Sequence, residues 1–223
     1  AFLALFVIAV AWIVAEQQNR RLFEQAERTR VLNQVSLVRA RLEGNISGNI
    51  QLARGLVAAL VVEPDMDQQR FSALAESLLH TNSQIRNLAV SKGMVVTFVH
   101  PLAGNEQAIG LDYNRNEAQR GAALRARDTG EMILAGPVDL VQGGKGFIGR
   151  FPVFTPTADG GREFWGIVSA VADVDRLYED SGLHDEALTI EIALSGRDAT
   201  GTRGARFYGT RETVAGDPVV AEV

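Results

Sequence analysis

The chain opens on an uncharged, almost wholly apolar run, Ala1 to Ala15, and passes at once into the charged stretch Glu16 to Arg30. A span needs about 20 apolar residues to cross roughly 30 Å of hydrocarbon, so the run is expected to be the end of a transmembrane helix that begins before this sequence does. Trp12 suits a membrane interface, and Arg20 and Arg21 can reach back to headgroups. A signal peptide would show a basic leader and a small-residue cleavage site, and neither is visible. From Glu16 to Val62 the apolar positions Leu32, Val35, Val38, Leu42, Ile46, Ala53, Leu56 and Leu60 recur mostly at threes and fours. That spacing predicts a long stalk helix, uninterrupted by proline before Pro64. The stripe fits a coiled-coil-like seam against a second copy of the chain and equally fits packing on the domain that follows. Gly44, Gly48 and Gly55 weaken the helix by about 1 kcal/mol each relative to alanine, and permit another backbone to approach.

Beyond Pro64 the period changes. Asp67 caps an expected helix through Leu79, with Phe71, Leu74, Ala75, Leu78 and Leu79 on its apolar face. Ile85–Val90 and Met94–Val99 read as a hairpin turning at Ser91-Lys92-Gly93. Glu117–Arg127 is helical and stops at Thr129-Gly130. Strands follow at Met132–Val141, Phe147–Phe154 and Phe164–Val171, then a short helix, Val174–Asp180, with Asp173 as its cap. A last strand group is expected at Leu188–Leu194, Ala205–Tyr208 and Pro218–Val223. This order predicts an α+β fold, a mainly antiparallel sheet with helices to one side. Residues 1–15 form the span, 16–62 the stalk, 63–172 the main domain and 173–223 a smaller sheet unit back near the membrane.

Composition narrows the function. With 46% hydrophobic and 22% charged residues in the whole chain, the part after the apolar run is expected to be globular. A net charge of -5 without a basic patch argues against nucleic acid as partner. The absence of cysteine removes disulfides, thiolate metal sites and cysteine nucleophiles together. Gly144 to Gly149 spells GxGxxG, but the residues after it, Arg150-Phe151-Pro152-Val153-Phe154, do not open a helix, so a glycine-rich hairpin turn is expected instead of a phosphate cradle. His80, His100 and His184 lack ligand spacing, so no metal is expected; His100 sits at a strand end and His184-Asp185-Glu186 in a polar loop. No nucleophile elbow supports Ser91, Ser169 or Ser195. Neither catalytic residues nor a cofactor is expected.

From Ile85 onward the chain resembles the CHASE family, extracellular sensing domains of transmembrane signalling receptors. The resemblance rests on IRNLAVSKGMVVTFVHPLAGNEQAIGLDY (Ile85–Tyr113), ARDTG (Ala126–Gly130), GPV (Gly136–Val138), QGGKG (Gln142–Gly146), RFPVF (Arg150–Phe154) and Phe164-Trp165-Gly166, in the expected order. It implies a periplasmic or extracellular sensor with a helical stalk, a membrane-distal and a membrane-proximal PAS-like module, usually between two transmembrane helices. Family members carry kinase, cyclase or other output domains on the cytoplasmic side. In plant members the distal module binds cytokinins, and position by position this places Asn105 or Glu106 near the carboxylate that holds the adenine edge and Leu134 near a backbone contact.

The expected function is extracytoplasmic sensing of a small molecule, coupled through the stalk to an output domain outside this chain, with the receptor in the inner (plasma) membrane and dimeric through the stalk. Val99, Asn105, Leu134, Gly136, Phe147, Arg150 and Phe151 are the expected pocket walls. Arg150 pairs either with an acidic group on the ligand or with Asp112 or Glu106 in the fold. The alternative is a dimerisation or protein-docking module without a pocket. An enclosed distal cavity of roughly 300 Å3 favours the sensor; a solid distal core with an exposed apolar patch favours docking.

Overall fold

The computed structural model describes residues 2–79, 84–199, 201, 204–215 and 218–223. Helix α1 runs unbroken from Phe2 to Val62, about 90 Å at 1.5 Å per residue. By length and composition it is sufficient to cross a membrane. Helix α2, Gln68–Leu78, is capped as expected by Asp67, whose carboxylate accepts from the Arg70 N–H at 2.8 Å.

Five strands, β1 (Ile85–Lys92), β2 (Val95–His100), β3 (Ile133–Asp139), β4 (Lys145–Pro156) and β5 (Arg162–Asp173), form one antiparallel sheet in the order β2-β1-β5-β4-β3. Helix α3, Glu117–Thr129, lies between β2 and β3 in sequence and ends on Gly130, whose φ of 72° is the left-handed cap expected there. Helix α4, Val174–Asp180, follows β5 directly, and the Asp173 carboxylate accepts from the Arg176 N–H at 3.0 Å.

The two sheet faces have different partners. On one face Leu88, Val90, Phe151, Val153, Val168 and Ala170 pack on Ala53, Leu56 and Leu60 of α1 and on Phe71 and Ala75 of α2. We call this the stalk face. On the outer face Ala89, Val96, Val99 and Ile167 pack with Ala108, Tyr113 and Ala123, beneath α3 and the segment that precedes it. Lower on the stalk, Val38 and Leu42 join Val174, Leu177, Tyr178 and Leu183 around α4. The stripe from Val38 to Leu60 is thus used within the chain, whereas Leu22, Phe23, Leu32 and Leu37 stay exposed. Gly44 and Gly48 face open space, and only Gly55 faces another element, the Leu78 side chain of α2.

The structure departs from expectation in three places. Helices cover both faces of the sheet and not one, because α3 packs on the face opposite α1 and α2. Strand β1 extends through Lys92, so the hairpin turns at Gly93-Met94 instead of Ser91-Lys92-Gly93, and a register shift between Val90 and Ser91 keeps Val96 and Val99 on the outer face with Phe98 on the stalk face. The second sheet unit is only a two-stranded pair, β6 (Leu194–Ser195) with β7 (Arg206–Tyr208). Leu188 and Ile192 still pack on the α4 cluster, but their backbone meets no neighbouring strand, because β7 is only three residues long. Residues 218–223 form no strand; Val220 and Val223 are exposed, with no sheet edge to join.

Candidate functional site

One row of residues crosses all five strands: Ile133 of β3, Arg150 of β4, Ser169 of β5, Ala89 of β1 and Val99 of β2 are successive cross-strand partners. Directly opposed residues share a face, so Val99 places the whole row on the outer face. At its centre Arg150 is wholly buried. Its Nη2 donates to Gln119 Oε1 at 2.7 Å and its Nη1 to Ser169 Oγ at 3.4 Å, and the guanidinium carbon lies 4.3 Å from the centroid of the Tyr113 ring. The Tyr113 and Ser169 hydroxyls are hydrogen-bonded at 3.1 Å. Arg150 Nε has no hydrogen-bond partner. Among the described residues no carboxylate pairs with Arg150. Asp112 instead accepts from the Asn114 N–H, and Glu106 is exposed. A buried charge without a counter-charge is expensive, and here only a neutral amide, a hydroxyl and an aromatic face compensate it.

A second polar group lies on the same face. Asn105, 4% exposed, accepts from Asn87 Nδ2 at 2.7 Å and from Gln142 Nε2 at 3.3 Å, and donates to the Pro101 carbonyl at 3.0 Å. It fastens the loop after β2 to β1 and to the turn between β3 and β4. Asn87 Oδ1 is also buried without a partner.

The seven expected pocket residues therefore separate. Val99, Asn105 and Arg150 share the outer face, but Val99 stands three strands from Arg150 in the row, and Asn105 bonds Asn87, Gln142 and Pro101 and not Arg150. Phe151 opposes Val168 and packs in the stalk-face core. Leu134 opposes Gly149, whose next partners Ala170 and Leu88 belong to that core, so it too faces the stalk. Phe147 packs edge-on against Tyr178 and Phe207, beside α4. Gly136 has a φ of 123°, and its N–H donates to Asp198 Oδ1 at 2.8 Å, tying β3 to the C-terminal unit. An added Cβ there would meet the Gly146 carbonyl oxygen at 2.7 Å, so the position is a joint between backbones.

The expectation overlooked Tyr113, Gln119, Ser169 and Asn87. A signal was present for three of them: Ser169 and Asn87 interrupt apolar strand runs, and Gln119 shares its helix face with Ala122, Ala123 and Ala126.

Two clefts, of about 490 and 350 Å3, lie beside α4 and do not reach Arg150. The first is lined by Arg41, Glu179, Gly182, His184 and Asp185, the second by, among others, Leu183, Leu188, Ile192, Tyr208 and Thr213. His184, expected in a plain polar loop, stacks edge-on against Tyr178 and lines both. His80 lies outside the described residues. The Tyr178 hydroxyl is buried without a partner, and this burial first, then Tyr208 and Asp175, pushes its pKa up from 10.0 to about 12. Unfolding frees the proton at lower pH, so the stabilisation is complete below pH 10 and is lost as pH rises from 10 towards 12. Tyrosinate absorbance is expected to show a late step that Tyr178→Phe removes; survival of that step in the variant would contradict this.

The family profile of the CHASE domain matches residues 6–208. Among solved structures, an extracellular ligand-binding receptor from Desulfohalobium retbaense is 20% identical, with a TM-score of 0.62 over 75% of this chain and 29% of its own. The ligand-binding domain of the Pseudomonas aeruginosa amino acid chemoreceptor PctB, in complex with L-Arg, is 16% identical, with a TM-score of 0.54 over 75% of this chain and 62% of its own. The sensor domain of the Vibrio cholerae histidine kinase DctB is 10% identical, with a TM-score of 0.52 over 77% of this chain and 64% of its own. The chain thus spans less than two thirds of each. No curated protein matches it. Fold, order of elements and profile agree: this chain belongs to the CHASE domain family, sensor domains of signalling receptors and not catalytic ones.

Proposed function

We propose that this chain is the extracytoplasmic ligand-sensing part of a receptor in the inner (plasma) membrane, and that it takes a small molecule on the outer face of the five-stranded sheet. The observation that carries the reading is Arg150, a buried cation with no ion-pair partner among the described residues and with an unused donor. A fold that needed this position only for packing would gain by an apolar residue there. Residues 1–15 act as the membrane anchor and 16–62 as the stalk. Residues 63–172 are the PAS-like distal module, and 173–223 a reduced membrane-proximal module. The exposed Leu22, Phe23, Leu32 and Leu37, on the part of α1 that precedes Val38, support a homodimer seam.

Coupling follows from sheet thickness. Arg150 faces the ligand side and its neighbour Phe151 packs into the core that holds Leu56 and Leu60 of the stalk. A shift of β4 is therefore felt by α1 across one layer of backbone. The stalk responds by no more than the ligand's difference in affinity between the two arrangements.

The test is native mass spectrometry of the full chain in detergent, followed by denaturation. A small molecule released from the wild type and missing from Arg150→Met supports the reading. A ligand-free dimer whose melting temperature responds to no member of a metabolite panel refutes it and supports the alternative, a dimerisation or docking module.

A further inference from the structure

We infer that the outer-face site takes a small carboxylate, and that Gln119 occupies the carboxylate's seat until the ligand displaces it. This deepens the sensor reading above and rests on it. The donors Nε and Nη2 share one edge of a guanidinium, a two-pronged fork that a carboxylate fills with two oxygens. In this structure a single amide oxygen, Gln119 Oε1, sits on Nη2 at 2.7 Å, while Nε stays unbonded. The fork is half filled by a neutral group.

Charge and surroundings select the ligand. Arg150 is the one cation shown in the cluster, its other neighbours being the Ser169 and Tyr113 hydroxyls and the Tyr113 ring. One negative charge neutralises it; a doubly charged phosphate would leave a charge unpaired in a buried place. Gln119 stands in the first turn of α3, where its own N–H is tied to the Asn116 side chain at 3.1 Å. The amide can therefore swing out by rotating its side chain without unwinding the helix, and the anion then lies near the positive end of the helix dipole.

The probes are acetate, propionate, pyruvate and L-lactate, each beside its amide, read by thermal shift and calorimetry on the full chain. At a hundredfold excess over its Kd a fitting acid is expected to raise the melting temperature by about 5 °C, and its amide to bind about a hundredfold more weakly. Gln119→Ala empties the seat and is expected to tighten binding of that acid about tenfold. Gln119→Glu supplies a tethered carboxylate, so the protein stays folded and its response to the acid disappears. A merely structural glutamine would give neither result. An acid response in Gln119→Glu equal to wild type, or acid and amide binding alike, overturns the inference. A neutral molecule captured by mass spectrometry and still held by Gln119→Glu overturns it while leaving the sensor reading intact; no bound molecule of any kind ends both.

Discussion

Replacing Phe71 with alanine is expected to lower the unfolding free energy by about 3–5 kcal/mol, the range for deleting a fully buried aromatic ring. Phe71 is 0% exposed and belongs to the core that joins α1, α2 and the stalk face of the sheet. Its ring stacks on Phe98 of β2 at a centroid distance of 5.8 Å. Truncation leaves a void bounded by three elements, and none of them can close it without leaving the other two. Urea unfolding followed by circular dichroism measures the loss. The control is Gln51→Ala on the exposed side of α1, for which about 0.5 kcal/mol or less is expected. Equal losses at the two positions would mean that the stalk-face core does not hold the sensor to its stalk. The coupling proposed above passes through this same layer, where β4 meets α1, so on that proposal the variant keeps ligand binding and loses transmission.

The legibility of this chain differed between backbone and site. The long helix, the capped α2, the succession of strands and helices along the chain and the exact span of α4 all followed from period and caps, because each is set by residues close in sequence; the order β2-β1-β5-β4-β3 within the sheet did not. The C-terminal strands did not follow. Leu188 to Leu194 has the apolar alternation of a strand, and a strand needs a neighbour, a non-local fact that period cannot supply. The site was legible as an anomaly before it was legible as a place. Arg150 stands out in the run Phe147 to Phe154, and Asn105 in a turn, but adjacency in that run misled: Arg150 and Phe151 point to opposite faces, so a molecule lying on one face can touch only one of them. Which face belonged to the stalk emerged only with the sheet. The register shift at Val90 adds to this, since it returns Val99 to the face of Arg150, and nothing in the hydrophobic pattern marks it.

Glycines carry the same lesson in energetic form, and they supply the second large effect. Gly166→Ala is expected to destabilise the protein by about 3 kcal/mol or more, at the upper end of the range for overpacking. Gly166 sits in β5 between Lys92 of β1 and Val153 of β4, and a Cβ built on it would overlap the backbone carbonyl oxygen of Ser91. That obstacle is backbone, which cannot rotate aside. The strands would have to part at the end where Gly93 N–H meets the Trp165 carbonyl at 2.8 Å and Ile167 N–H meets Ser91 Oγ at 3.1 Å. Gly44→Ala, in the stalk, meets nothing within 4 Å and is expected to stabilise by up to about 1 kcal/mol, because alanine favours the helix and narrows the unfolded ensemble. Amide hydrogen exchange separates the two causes. In Gly166→Ala protection should be lost first at Gly93 and Ile167, whereas Gly44→Ala should slow exchange along the stalk alone. If Gly166→Ala melts with the wild type and keeps that protection, β1 and β5 are not in the close register described, and the row that puts Ala89, Ser169 and Arg150 side by side is not the one the protein uses.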